Sequence, residues 1–146
     1  MTWAQARSAL RALLVGLGHP VFTIPPATVD ERGEVIMLVP PARDVERRAS
    51  GVTRTVYHQR IAVMAHIAAG SKEELDAVGT GVDNVVEEIN VALGGALSLD
   101  GDAVVLAPPT WDEMTVDEYP EGSGTPYARM VGTVDIEVER IGTFTA

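Results

Sequence analysis

Five carboxylates fall between positions 112 and 121: Asp112, Glu113, Asp117, Glu118 and Glu121. Two chemistries use such groups. Paired carboxylates run glycoside hydrolysis, and clustered oxygen ligands hold Ca²⁺. The spacing matches no EF-hand loop, and a deep sugar cleft is hard to build in a small domain with two Trp. A solvated or interface loop is the simpler reading. The three histidines do not assemble either. His58 and His66 are eight residues apart on what reads as one strand face, about 26 Å at ~3.3 Å per residue, too far to share a metal. His19 precedes Pro20 at a helix end, where a cationic imidazole would meet the helix C-terminal dipole. The chain has no Cys, which excludes disulfides, thiolate metal sites and cysteine catalysis. Gly16-Leu17-Gly18 and Gly79-Thr80-Gly81 lack the context of a phosphate loop, and no Gly-x-Ser-x-Gly elbow occurs. Arg47, Arg48 and Arg54 form either an anion site or pairs with carboxylates of this or a neighbouring subunit. Trp111 and Tyr119 lie in a polar loop. They either pack back on the core or serve an interface, where aromatics are enriched. No catalytic, cofactor-binding or metal-binding set emerges.

The charge distribution points elsewhere. The 146 residues carry a net charge of −10, against the basic footprint of a general nucleic-acid binder. Residues 1–70 hold eight basic and five acidic groups, whereas residues 71–146 hold three basic and sixteen acidic ones. Such asymmetry suits identical subunits meeting head to tail around a ring; a solvated acidic face is the alternative. No run reaches the ~18 apolar residues of a membrane span. Arg7 and Arg11 interrupt the apolar N-terminal stretch, and no small-residue cleavage site follows. It reads as an amphipathic helix made in the cytosol, not a signal peptide.

These residues need elements to position them. Thr2-Trp3-Ala4-Gln5 reads as a capping box, followed by Trp3, Ala6, Leu10, Leu13, Leu14 and Leu17 on one helical face and Gly16 and Gly18 at its end. Val21–Ile24 is a short strand stopped by Pro25-Pro26, and Ala27–Glu34 a polar loop. Val35–Val39 is a buried strand closed by Pro40-Pro41, and Ala42–Gly51 a charged loop holding Arg43, Arg47 and Arg48. Val52–Ala68 is a long strand. Thr53, Thr55, Tyr57, Ile61, Val63 and Ile67 share one face, and Arg54, His58, Arg60, Met64 and His66 the other. At roughly 55 Å it exceeds a body of radius of gyration near ~15 Å, so it bends, breaks or projects. A second capping box, Ser71–Glu74, opens a helix burying Leu75, Val78, Val82, Val85, Val86, Ile89 and Leu93. Gly79 and Gly81 weaken it by about 1 kcal/mol each and favour a kink near Thr80. Asp100-Gly101 signals a hairpin turn before a buried strand, Ala103–Ala107. Thr110–Pro126 is the longest irregular segment. Tyr127–Arg140 alternates strictly, with Ala128, Met130, Val134, Ile136 and Val138 against Arg129, Thr133, Asp135, Glu137 and Glu139. That is the pattern of an antiparallel sheet with one wet side.

The whole chain, 1–146, reads as one α+β domain: two helices packed on a mostly antiparallel sheet, with a long projecting β-strand or hairpin. In layout it resembles the tail terminator, or tail completion, proteins of long-tailed, siphovirus-type phages. The resemblance runs through the N-terminal helix entering Gly18-His19-Pro20-Val21-Phe22, the buried strand Val35–Val39 and the long strand with Arg54-Thr55-Val56-Tyr57-His58-Gln59-Arg60. It continues through the capped helix Ser71–Leu93 and the strands Ala103–Ala107 and Tyr127–Glu139, with Thr110–Pro126 as a variable loop. The resemblance implies a non-enzymatic virion protein without cofactors, at the head–tail junction, assembled in the host cytoplasm. It would cap the tail tube as a homohexameric ring, end tail polymerisation, and contact the tube protein and the head-side connector or stopper. DNA would pass through the lumen without specific binding, and no membrane is involved. On that reading Arg43, Arg47, Arg48, Arg54, Trp111, Asp112, Glu113 and Tyr119 serve subunit or tube interfaces. Asp135, Glu137 and Glu139, or the 112–121 carboxylates, face the lumen, where an acidic wall repels phosphate. Two other functions fit the size: a stopper or adaptor subunit of the connector, and a small-molecule or metal-binding α+β domain. Adaptors are mostly helical, against the five strand runs here. A ligand-binding domain needs convergent polar groups in one apolar pocket.

Overall fold

The computed structural model describes residues 3–23, 33–49, 52–67, 72–94, 98–99, 103–118, 122, 124 and 126–141. Helix α1 (Trp3–Val15) buries Ala6, Leu10 and Leu14, with Trp3, Leu13 and Leu17 partly buried beside them, as its period demands. Its end tightens. The Leu17 and Gly18 amides donate to the Leu14 and Val15 carbonyls at 3.1 Å each, and Gly18 takes a φ of 91°, which glycine adopts without steric cost.

The chain then enters strand β1 (Val21–Phe22), which lies parallel to β2 (Glu34–Ala49) with Val21 opposite Ile36. Strand β2 turns into β3 (Val52–His66), antiparallel from Glu34↔Ala65 to Ala49↔Val52. Helix α2 (Lys72–Ala92) crosses the sheet. Short strands β4 (Ala103–Val105), β5 (Thr110–Trp111) and β6 (Thr115–Glu118) follow, and β7 (Pro126–Ile141) closes the sheet beside β3. The result is a mixed, mostly antiparallel seven-stranded sheet ordered β1-β2-β3-β7-β4, with β5 and β6 also on β7. The fold is α+β, as the sequence pattern predicts.

Both helices cover one face of the sheet. Their buried residues join Ile36, Leu38, Ile61, Val63, Ala128, Val134, Ile136 and Val138 in the main core. Trp3 stacks on Tyr57 with ring centroids 4.3 Å apart. Arg7 ties α1 to the sheet edge, donating from Nη2 to the Thr23 carbonyl at 2.8 Å.

Several expectations change. Pro40-Pro41 does not end its strand, and Ala42–Ala49 is strand rather than loop. The register shifts between Val39 and Ala42 and again between Arg43 and Val45. The two prolines fall in the first shift, at a bulge, where missing N–H groups cost least. Gln59 faces this gap; fully buried, it donates from Nε2 to the Val39 carbonyl and, at 2.8 Å, to the Arg60 carbonyl. Of the three alternatives open to the long strand β3, bending, breaking or projecting, breaking is removed, because β2 and β7 flank it from end to end. On α2, Leu75 is 40% exposed, lying one turn beyond the part of the helix that meets the sheet core. The helix runs without interruption through Gly79 and Gly81. The glycines admit neighbours: a side chain at Gly81 would collide with the Glu34 carboxyl, and Met114 packs over Gly79. Finally, Thr110–Pro126 is not wholly irregular, since it contains β5 and β6.

The sheet's second face is also not uniformly wet. Val35, Met37, Ala62, Met64 and Tyr127 form a buried cluster there. The caps at Thr2 and Ser71, the loop 27–32 and the turn Asp100-Gly101 lie outside the described residues. On either side of that turn, Ser98 bridges Val104 and the Leu99 amide donates to the Ala103 carbonyl at 2.7 Å.

Candidate functional site

Period two puts the even residues of β3 and the odd residues of β7 on the face away from the helices. Register pairs His58 with Asp135, Val56 with Glu137 and Arg54 with Glu139. His58 Nδ1 lies 2.5 Å from Asp135 Oδ1, and Arg54 Nη2 lies 4.0 Å from Glu139 Oε2. Cross-strand polar pairs of this kind stabilise a sheet modestly. The face predicted to be acidic is therefore mixed: Asp135 and Glu139 are each matched by a β3 side chain, and Glu137 stands between them. Arg54 has its carboxylate partner within the chain. Arg43 stands opposite Tyr57 in register, Arg47 opposite Arg54 and Arg48 opposite Thr53, all in the far half of β2. The described strand β1 flanks only Ile36 and Met37 of β2.

The second surface is the opposite sheet edge. Asp112 and Glu113 are exposed just after β5, and Asp117 and Glu118 are exposed on β6. The Asp112 amide continues the ladder to the Val131 carbonyl at 2.9 Å. Asp117 Oδ2 accepts from Arg129 Nη2 at 2.8 Å and from Thr115 Oγ1 at 3.1 Å. Glu118 Oε2 accepts from the Gly122 amide at 3.1 Å. These carboxylates brace a short, charged edge strand of the kind that resists edge-to-edge pairing. Tyr119 and Glu121 lie outside the described residues.

Trp111 fixes this edge to the body. Its ring lies across Gly132, where a Cβ would come within 2.7 Å of it, and its indole Nε1 donates to Asn90 Oδ1 on α2 at 2.8 Å. It is half-buried. Gly132 and Asn90 are the positioning residues that sequence reasoning passed over. The signal for Gly132 was present, because a glycine inside a strictly alternating strand marks close approach. Asn90 gave none, being one polar residue on a helix flank.

His19 meets a carboxylate: its Nε2 is 2.8 Å from Glu88 Oε2 on α2. Beyond the predicted dipole of α1, its partner is thus the neighbouring helix. His66 packs edge-on against Tyr127 at 5.2 Å. Among the described residues, no three His, Asp or Glu side chains group closely enough to hold a metal, and no helix is long and apolar enough to cross a membrane.

No family model matches the chain, and no curated protein matches it. Solved structures similar to it include two that align over nearly the whole chain. One, from the virion of a native gene transfer agent particle, covers 92% of this chain and 92% of its own at 17% identity, with a TM-score of 0.49. The other, whose name states no function, covers 100% of this chain and 99% of its own at 18% identity, also with a TM-score of 0.49.

Proposed function

We propose that the protein is a non-enzymatic structural subunit of a long-tailed phage or phage-like particle. In this reading it forms a ring on the head-proximal end of the tail tube, stops tube growth and joins the tail to the head-side connector. The observation that supports this best is the element order within one sheet. An N-terminal helix, a short strand, a hairpin of 16- and 15-residue strands, a 21-residue helix and a last 16-residue strand follow in turn. That is the layout in which the sequence resembles tail terminators. Capping is steric and breaks no bond. The partners are further copies of the chain, the tube protein and the connector.

DNA slides through the opening. We favour as its wall the edge carrying Asp112, Glu113 and Glu118 over Asp135, Glu137 and Glu139, since two of those three have partners on β3. Arg43, Arg47 and Arg48 in the far half of β2 meet acidic groups of a neighbour or of the tube ring. Native mass spectrometry over a concentration series, with and without Mg²⁺, tests the reading. The expected result is a six-fold species that Arg43→Glu with Arg47→Glu and Arg48→Glu weakens at low salt. A closed two-fold dimer at every concentration overturns it.

A further inference from the structure

Residues 110–118 are fastened to the body differently from the rest of the sheet. They hold β5 and β6, and among the described residues each of these pairs with β7 alone. All four residues of β6 are exposed. Within 110–118 only Trp111 and Met114 are partly buried, and none is fully buried. These two side chains are the anchors, and each sits where a glycine leaves room. The Trp111 ring lies over Gly132 of β7, and the Met114 sulfur lies 3.4 Å from where a Cβ would stand on Gly79 of α2. The Trp111 indole N–H also reaches Asn90 Oδ1 of α2 at 2.8 Å. The segment is thus pinned to the sheet at one glycine and to the helix at another.

Its ends are bounded. Pro108 and Pro109 precede it, and Pro109 is buried; their rings fix φ and donate nothing to a ladder. Beyond Glu118, Gly122 takes a φ of 81°, and its amide donates to Glu118 Oε2 at 3.1 Å. The core does not run through the segment. Apart from Pro109, no described residue between Val105 and Tyr127 is buried. Besides the two anchors, it is held by the short ladders to β7 and by the exposed Asp117–Arg129 pair, whose attraction water screens. A stretch with little buried apolar surface and solvent-exposed backbone hydrogen bonds opens at far lower cost than the whole domain.

We infer that residues 110–118 form a strap that opens as one unit while the helices, β2, β3 and β7 stay folded. Opening carries Asp112, Glu113, Asp117 and Glu118 away from the sheet together. It bares the β7 edge over residues 126–133 and empties the two glycine seats. The acidic edge is then a movable element on a fixed body. This is a property of the single chain, so it goes beyond the cap reading and does not depend on it.

The test is native-state hydrogen exchange on the dilute 146-residue chain, read by NMR at low urea, where closing outpaces exchange. The strap reporters are the Asp112 amide, which donates to the Val131 carbonyl, and the β6 ladder amides. The body reporters are the central amides of β3, flanked on both sides. Strap amides should exchange at least about 100-fold faster than those of β3, through an opening that urea barely promotes, because it exposes little surface. Trp111→Phe loses the hydrogen bond to Asn90 and should speed the Asp112 amide and every β6 amide by one common factor, about fivefold. Ile61→Val, at a site fully buried in the body, should speed β3 exchange by about threefold to tenfold and leave the strap amides unchanged, since the strap opens without unfolding β3. Strap amides as protected as those of β3, with Ile61→Val speeding both sets alike, would show that the segment opens only with the whole chain and would overturn the inference. An effect of Trp111→Phe on Asp112 that does not reach β6 would show piecemeal fraying and overturn it too. The cap reading stands after either result, because it is judged by assembly.

Discussion

The two halves of the β2–β3–β7 sheet use the same strands in different ways. At the near end Val35, Met37, Ala62, Met64 and Tyr127 are buried on the face away from the helices, while Ile36, Ile61, Val63 and Ala128 are buried on the helix face. At the far end the helix face is still buried through Thr55 and Val138, but the other face carries Arg54, His58, Asp135, Glu137 and Glu139. The difference is written in composition: Ile61-Ala62-Val63-Met64-Ala65 is apolar at every position, whereas Tyr57-His58-Gln59-Arg60 changes character at each step. One strand is a core element at one end and a surface element at the other. Stability belongs to the near end, and the far end is free to carry interactions.

The sharpest way to break this comparison is one substitution made at both ends. Met64→Lys puts an ammonium at a site 3% exposed. It should cost about 3 kcal/mol or more, since a buried charge without a partner is among the most costly changes. His58→Lys places an ammonium beside Asp135 on the same exposed face and should change stability by less than about 0.5 kcal/mol. Urea denaturation midpoints measure both, and equal losses would show that the two ends are not distinct.

Gly132→Val comes next. The new side chain must displace the Trp111 ring from the strand that β5 depends on, and overpacking of this kind costs about 1–3 kcal/mol. Loss of near-ultraviolet circular dichroism from Trp111 should accompany the shift. A neutral outcome would mean that the β5–β6 edge is not held to the body through this contact.

These residues also show what the sequence revealed. Period two in Tyr127–Arg140 and period 3.6 in α1 set both the elements and their buried faces, because one face of each meets a continuous core. The far half of β2 was hidden. Pro40-Pro41 is a strong stop signal, and only its pairing with β3, bulged around the prolines and bridged by Gln59, lets the strand continue. Strands β5 and β6 were hidden for a related reason: two- and four-residue strands owe their existence to β7 beside them, not to their own pattern. The charged groups were legible as a set, but their partners were not. Register alone decides that Glu139 meets Arg54 and that Asp135 meets His58.

A smaller effect separates the indole from the ring. Trp111→Phe keeps most of the apolar cover over Gly132 and loses the hydrogen bond to Asn90, so about 1 kcal/mol should go. Asn90→Ala should cost a similar amount, and the double variant should cost less than their sum. Full additivity would mean that the 2.8 Å contact contributes nothing.

The smallest expected effect is the most direct probe of the far end. Arg54 and Glu139 are 4.0 Å apart, with side chains 53% and 35% exposed. At that separation and exposure, water screens most of the attraction, and ordering two long side chains offsets much of the remainder. Arg54→Ala should therefore destabilise the isolated chain by less than about 0.5 kcal/mol, and 0.5 M salt should erase the difference, because the Debye length falls well below its value of about 10 Å at 0.1 M. The assembled state is the contrast. If this face is covered by a neighbour or by the tube, the same pair loses its water, and Arg54→Ala removes a partner of Glu139 in a drier setting, where the loss is several-fold larger. Measuring the variant twice, as dilute monomer and in the assembled species, separates a solvated end of a sheet from one built to be covered. Equal, salt-sensitive losses in both states would place this face outside any interface.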